Sequence, residues 1–390
     1  MTGAVPVGGA PGVLRLTGGT LRPRQNPPVD RTERYTMPHF RRTARSLPLL
    51  AILLALACGR DPTPPRAVLT PQASGTTARL QAISAVSAEV AWASGVDGTY
   101  TRTLDGGRTW RSGVVPGADT LQFRDVHAVA ADTAYLLSAG VGPLSRIYKT
   151  TDGGVSWTTQ FVNDVPEAFF DCFAFWDATH GVAFSDAVEG QFVVAVTEDG
   201  ERWVAADQGA LPAAQPGEGG FAASGTCVLV RGREDGWIGT GNAAPARVLR
   251  TADRGRTWSA AEVPLAAGDA AGVTSLAFWD AAVGIAVGGA IGDSDSRQRR
   301  VARSEDGGRA WTAGGEPSFR GAVYGAAYVP ASAPPVVVAV GPGGADYSTD
   351  HGRTWIPLDT LAYWSVGFAG PEAGWLVGPE GRIMKVVFSK

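Results

Sequence analysis

From about residue 78 onward the chain is a succession of short runs in which apolar and polar residues alternate, each run closed by Gly, Asp or Ser. Val90-Ala-Trp92-Ala-Ser94 followed by Gly98-Thr-Tyr-Thr-Arg102 has this form, as does Gly181-Val-Ala-Phe184 followed by Phe192-Val-Val-Ala-Val196. A period of two bounded by turn residues predicts half-buried strands. No long amphipathic helical period interrupts it. Ahead of such pairs stands an inner-strand phrase, Ala174-Phe-Trp-Asp-Ala178, which returns almost verbatim as Ala277-Phe-Trp-Asp-Ala281.

After the third run of each group comes a fixed octet: Ser or Thr, then Asp two places on, Gly two after that, and Trp at the end. It occurs at Thr103–Trp110, Thr150–Trp157, Thr251–Trp258, Ser304–Trp311 and Ser348–Trp355, with a shortened copy at Thr197–Trp203. An Asp placed after a strand accepts hydrogen bonds from N–H groups just ahead, Gly takes the φ > 0 position, and Trp re-enters the next strand with a large apolar face. This chemistry accounts for Asp105, Asp152, Asp199, Asp253, Asp306 and Asp350 as turn formers rather than catalysts or calcium ligands.

Successive octet aspartates are 47, 47, 54, 53 and 44 residues apart, the spacing of four-stranded propeller blades. After the last octet the chain offers three more strands, Tyr363–Ala369, Gly374–Val377 and Arg382–Phe388, with no octet and no fourth strand. The missing strand is available at the other end, in Ala67–Pro71. The expected fold is therefore all-β: a seven-bladed propeller closed by an N-terminal outer strand, which removes the free sheet edges. Six of the twelve tryptophans close octets, and Trp92, Trp176, Trp237, Trp279, Trp364 and Trp375 fall in inner or second strands or the turns between them. Positions locked to the repeat predict inter-blade core rather than a sugar-stacking stripe.

The octet resembles the Asp-box, or BNR repeat, of sialidase-like, sortilin-like and photosystem II assembly factor-like propellers in the WD40/YVTN/BNR-like repeat superfamily. Over residues 66 to 388 the chain is similar to the photosystem II stability and assembly factor-like propellers and their bacterial lipoprotein relatives. The phrases that carry this are Phe123-Arg-Asp-Val-His127, Phe169-Phe-Asp171, Phe221-Ala-Ala-Ser-Gly-Thr-Cys227 and Val340–Ser348. The resemblance implies a peripheral, structural octet and a non-catalytic assembly or binding role. Nothing in the chain ties it to photosynthesis.

The first 65 residues do not follow the repeat. Residues 1–36 are rich in Gly, Pro and Arg and read as a mis-called upstream extension; Met37 then opens a signal peptide, residues 37–57. Its basic segment, Arg41, Arg42 and Arg45, precedes the apolar run Leu47–Ala57, too short for a spanning helix. Ala55-Leu-Ala-Cys58 resembles a lipobox, with Ala55 where Leu is usual, and it also satisfies ordinary small-x-small cleavage. Cys58 is the candidate lipidation site, followed by a Pro-rich tether to Pro65. The expected address is the cell envelope, at the outer membrane or in the periplasm, with the lipid as the sole membrane contact.

Residues 1–57 hold eight of the 34 basic residues and, in Asp30 and Glu33, two of the 37 acidic ones, so 26 basic and 35 acidic residues remain, a net of −9. An acidic domain argues against nucleic acid as partner. The one basic cluster, Arg297, Arg299, Arg300 and Arg303, reads as a solvated loop between strands. Cys172 and Cys227 fall on inner strands of adjacent blades and read as buried free thiols, with pairing as the alternative. Four histidines and no CxxC spacing leave little for a metal site, and no dinucleotide-binding glycine loop opens a helix. No cofactor is expected.

Propeller geometry places a functional surface at the mouth of the central channel, where inner strands begin. Polar residues interrupting apolar text there are Arg124, Asp125, His127, Asp171, Asp186, Arg320 and Tyr347. The functional expectation is a monomeric, membrane-tethered binding or assembly module with a protein partner, or a glycan, in the envelope. The alternative is a glycoside hydrolase with two carboxylates across a cleft. The Arg-Ile-Pro phrase of sialidases is missing, and Arg146-Ile147 and Arg382-Ile383 sit in third strands. An oxidoreductase reading has no motif to stand on.

Overall fold

The computed structural model describes residues 64–389. The expected upstream extension and signal peptide, Cys58 and the expected tether up to residue 63 lie outside the described residues, as does Lys390. Twenty-eight strands form seven four-stranded antiparallel sheets. Six sheets take consecutive strands; blade 1, for example, is Leu80–Ala85, Ala91–Gly95, Thr99–Thr103 and Arg111–Val114. The seventh takes Ser365–Gly370, Ala373–Val377 and Ile383–Ser389 from the C-terminal end and Arg66–Gln72 as its outer strand, in register from Arg66 opposite Ser389 to Gln72 opposite Ile383. The seven-bladed ring and its N-terminal closure are thus as the repeat spacing implied.

Seven apolar clusters fill the seven gaps between neighbouring blades. Between blades 1 and 2 the cluster contains Trp92, Phe123, Leu136 and Tyr148; between blades 4 and 5, Trp237 stacks on Phe278 with ring centroids 3.9 Å apart. Octet tryptophans reach back to the preceding blade. Trp110 of blade 1 meets Trp375 of blade 7 edge-on at 6.3 Å, and both indole N–H groups donate to Gln72 Oε1, at 2.9 and 3.1 Å. The closing strand therefore fastens the first blade to the last.

Each octet links a third strand to its outer strand. In the first, Asp105 Oδ1 accepts from Thr109 N–H at 2.9 Å and Oδ2 from the Thr109 hydroxyl at 2.7 Å, while Thr103 Oγ1 accepts from Gly107 N–H at 2.8 Å. Gly107 has φ +85°, the left-handed region that favours glycine. The same bonds recur around Asp152, Asp253 and Asp350, and around Asp306 with Ala310 in place of the hydroxyl residue. The shortened copy at Asp199 caps Glu201 and Arg202 N–H instead, both at 2.8 Å. These hydrogen bonds hold the carboxylates of Asp105 and Asp152 at about 2.

Two sequence expectations are corrected. Cys172 and Cys227 are joined in a disulfide, because the inner strand of blade 3 and the start of that of blade 4 bring their Cα atoms to 5.9 Å, within bridging range; a separation of 55 residues concealed this. The basic cluster is only partly a solvated loop. Arg300 is fully buried, bonded to Glu316 and to the carbonyls of Pro317, Phe319 and Gly321, and Arg303 is buried against the His351 carbonyl.

Asp253→Ala removes the hydrogen bonds of one octet and should lower unfolding free energy by about 1–3 kcal/mol, leaving the strand content of the folded protein unchanged. Chemical denaturation followed by circular dichroism reads both; unchanged stability would deny the turn its structural role.

Candidate functional site

Inner strands carry a register slip near their start, between Leu80 and Ala82, Phe123 and Asp125, Phe170 and Cys172, and Val273 and Ser275. The skipped residues are Gln81, Arg124, Asp171 and Thr274. Such bulges re-aim a side chain. On blades 6 and 7 the equivalent positions, just before Gly325–Val329 and Ser365–Gly370, are Tyr324 and Trp364, whose N–H groups bond Val340 and Val377. A ring of such positions surrounds the mouth of the channel.

The channel is not open. The connection from blade 3 to blade 4 runs into it, and residues 218–226 are buried or half-buried. Ala222 carbonyl accepts from Arg124 Nη1 of blade 2 at 3.0 Å, Gly220 N–H donates to Asp186 Oδ1 of blade 3 at 2.9 Å, Ser224 Oγ donates to the Tyr324 carbonyl of blade 6 at 2.7 Å, and Ser365 Oγ of blade 7 donates to the Ser224 carbonyl at 2.9 Å. Contacts to blades on opposite sides of the ring mean that the segment crosses the axis as a plug. Its root is fixed by Glu218, buried and bonded to Arg247 and to Thr240 Oγ1. Gly219 and Gly220 are required by close approach, since a Cβ there would collide with the carboxylates of Asp186 and Asp171 respectively.

The electrostatics follow from this burial. Asp125, whose Oδ2 accepts from Phe173 N–H at 2.9 Å, is buried, and desolvation pushes its carboxyl well above the usual range. Asp171 is raised by burial and then by the Asp186 charge; burial raises Asp186 to about 6. Arg124 is lowered by burial and by the neighbouring Arg79, an effect Asp171 opposes. Three of the candidate carboxylates thus face protein backbone rather than a cleft.

The remaining arc of the mouth, over blades 6, 7, 1 and 2, together with Asp171 of the adjoining blade 3, holds polar atoms with no partner. Arg79 lies 4.8 Å from the Trp364 ring, which meets Tyr324 edge-on at 5.1 Å. Arg79 Nε, both polar atoms of the fully buried Gln81, Trp364 Nε1 and Asp171 Oδ2 make no hydrogen bond. Buried polar atoms are ordinarily paired. Donors outnumber acceptors here, and two guanidiniums, those of Arg79 and Arg124, adjoin them.

Of the seven residues expected at the mouth, Arg124, Asp125, Asp171 and Asp186 converge there. His127 stacks on Phe175 between blades 2 and 3 at 4.8 Å, where burial lowers it to about 4. Arg320 is exposed and paired with Asp295 at 2.9 Å, apart from the others. Tyr347 corrects its expected position: it lies in the third strand of blade 6, Gly344–Ser348, with its hydroxyl donating to the Pro65 carbonyl at 3.1 Å, beneath the N-terminal strand. Sequence reading missed Arg79, Gln81, Tyr324, Trp364 and the plug. The steps of 54 and 53 residues on either side of the octet at Asp253 do not single out the plug, and it is the bulges that bring Gln81, Tyr324 and Trp364 into line with Arg124.

No protein-family model matches the chain, and no curated protein matches it either. Among solved structures its fold is similar to that of YCF48 bound to D1 peptide (TM-score 0.50, 18% identity, covering 84% of this chain and 96% of that one). It is similar also to YCF48 from Cyanidioschyzon merolae (TM-score 0.53, 16% identity, 82% and 98% covered). A third similar structure is the GH74 enzyme of Niastella koreensis (TM-score 0.51, 13% identity, 80% of this chain), of which this chain spans 43%. At these identities the likeness is one of fold, the β-propeller.

A group whose carboxyl is raised in the folded state is destabilising once it ionises. For Asp186 that loss sets in as pH rises from its unfolded value of about 3.9 to about 6. Asp186→Asn keeps an acceptor for Gly220 N–H and should melt above the parent at pH 8, with the gap closing by pH 4. A gap independent of pH, measured by differential scanning fluorimetry, would refute the assignment.

Proposed function

We propose that this chain is a non-catalytic binding propeller of the cell envelope, whose channel mouth receives a carboxylate-bearing stretch of a protein partner. The observation that carries the reading is the arc of unpartnered buried donors beside Arg79 and Arg124. Charge-assisted hydrogen bonds to a carboxylate would satisfy Arg79 Nε, Gln81 Nε2 and Trp364 Nε1 at once. The similar fold of YCF48, whose solved complex is described as bound to D1 peptide, supports a polypeptide ligand.

Glycoside hydrolysis is the competing reading, favoured by the GH74 fold neighbour and by the aromatic faces of Tyr324 and Trp364, which would suit a sugar. Against it, an acid and a base must touch substrate, and Asp125, Asp171 and Asp186 are covered by the plug or bonded to backbone. The reading is tested by capture from an envelope extract with the parent and Arg79→Gln side by side, together with a glycoside substrate screen. A stoichiometric partner that the parent retains and Arg79→Gln loses by about tenfold is expected, while Arg320→Gln leaves capture unchanged. Glycoside turnover by the parent would overturn it.

Lipidation of Cys58 belongs to the same reading. The chain enters the propeller at Arg66, opposite Ser389, on the face where inner strands end. Expressed from Met37 in a Gram-negative host, the protein should incorporate labelled palmitate and Cys58→Ser should release it to the soluble periplasm; unlabelled, soluble parent protein would instead indicate ordinary secretion.

A further inference from the structure

Below the plug the channel is hollow. A cavity of about 560 Å³ opens at the face where inner strands end, lined by the inner strands of blades 4, 5, 6, 7 and 1 and the turns that follow them. That volume lies within the range of small-molecule sites. Its roof is Thr226, whose hydroxyl is already engaged by Ser275 and Ser224, both at 2.7 Å. The cavity is therefore blind, and a polypeptide cannot thread through it.

Its wall is apolar and its rim aromatic. Leu229 contributes to the wall, and Trp279, Tyr328 and Phe368 stand around it, each half-buried. The Tyr328 hydroxyl is committed to His351 Nδ1 at 3.0 Å, so its ring rather than its polar tip faces a ligand. The two copies of the Ala-Phe-Trp-Asp-Ala phrase are used differently. Trp176 of the first donates its indole N–H to the Asp235 carbonyl at 2.8 Å and packs between blades. Trp279 of the second lines the cavity, and among the described residues its indole N–H has no partner.

One cation completes the lining. Arg231, the last residue of the inner strand Val228–Arg231, is exposed at the rim. One long bond, 3.3 Å to the Phe278 carbonyl, engages its guanidinium, and Asp280 is the nearby countercharge. An apolar, aromatic-rimmed blind cavity with a guanidinium and a free indole N–H at its edge matches a ligand with a compact apolar body and one anionic head. We propose that this lower mouth is a second binding site, distinct from the upper one, for a small apolar carboxylic acid. It rests on different residues from the proposed partner site and stands whether or not that reading holds.

Dodecanoate is the probe, titrated by calorimetry into the folded protein, with dodecanol and dodecyltrimethylammonium as neutral and cationic counterparts. Expected is one saturable site for the acid at least tenfold tighter than for either counterpart, with quenching of tryptophan fluorescence that Trp279→Phe removes. Arg231→Gln, an exposed substitution that leaves the core intact, should cost about tenfold for the acid and little for the alcohol. Ala327→Phe, which puts a ring into the cavity, should abolish binding, while Arg79→Gln at the upper mouth should leave it unchanged. Equal binding of all three head groups, or binding that survives both Arg231→Gln and Ala327→Phe, would overturn the proposal.

Discussion

The closed ring is the constraint on which everything else depends. Each four-stranded sheet is apolar on both faces and must find a neighbour for each, so the sheets are stable only when no gap is left unfilled. Aromatic side chains, with Trp92, Trp237 and Trp375 fully buried, pack with Val, Leu, Ile and Ala to fill the gaps. The final gap is filled from the other end of the chain, and Gln72 joins its two sides by accepting from Trp110 and Trp375 together. Pro71 is tolerated in that closing strand because it is an outermost one, with an unpaired side. The octets belong to this scaffold on its periphery, which leaves the inner strands free for other chemistry.

A ring of seven inner strands leaves an axial hole, and this chain divides it. Residues 218–226 cross the hole at an energetic cost: they lie over Asp125, Asp171 and Asp186, each of which is raised by desolvation, Asp171 also by the neighbouring Asp186 charge. Backbone N–H groups aimed at the carboxylates offset part of that cost. The Cys172–Cys227 disulfide adds a covalent link between blade 3 and the end of the plug. Polar anchors that interrupt apolar text, which in a sequence read as a ligand pocket, therefore serve first to hold a piece of the protein itself.

How much was legible differs with the range of the interaction. Turn formation at Asp105 or Asp253 is complete within eight residues, so its chemistry stands in the text, and blade number follows from the repetition. Ring closure was legible because a blade lacking one strand and a spare strand at Ala67–Pro71 are complementary absences. The disulfide, the burial of Arg300 on Glu316 and the placement of Tyr347 under Pro65 depend on how separate segments meet, which no local pattern encodes. The mouth was half legible: Arg124, Asp125, Asp171 and Asp186 stood out as polar residues in apolar runs, whereas Gln81, Tyr324 and Trp364 became visible only once the bulges aligned the blades.

The division of the channel also bears on the proposal of binding over catalysis. A hydrolytic pair needs one carboxyl free to give a proton and another free to act on the opposite side of the same bond. Here Asp186, half-buried, accepts from the plug, Asp125 from blade 3, and Asp171 lies beneath Gly220, so substrate could reach the buried Asp125 and Asp171 only if the plug withdrew. Withdrawal would break the bonds from Arg124 to Ala222, from Ser224 to Tyr324 and from Ser365 to Ser224 together, and would leave the root still held by the buried Glu218–Arg247 pair. What remains on the upper side is a set of buried, unpartnered donors beside two guanidiniums, and on the lower side an apolar hollow with one cation at its rim. On the proposed reading both recognise anionic groups, one in a polar setting and one attached to an apolar body.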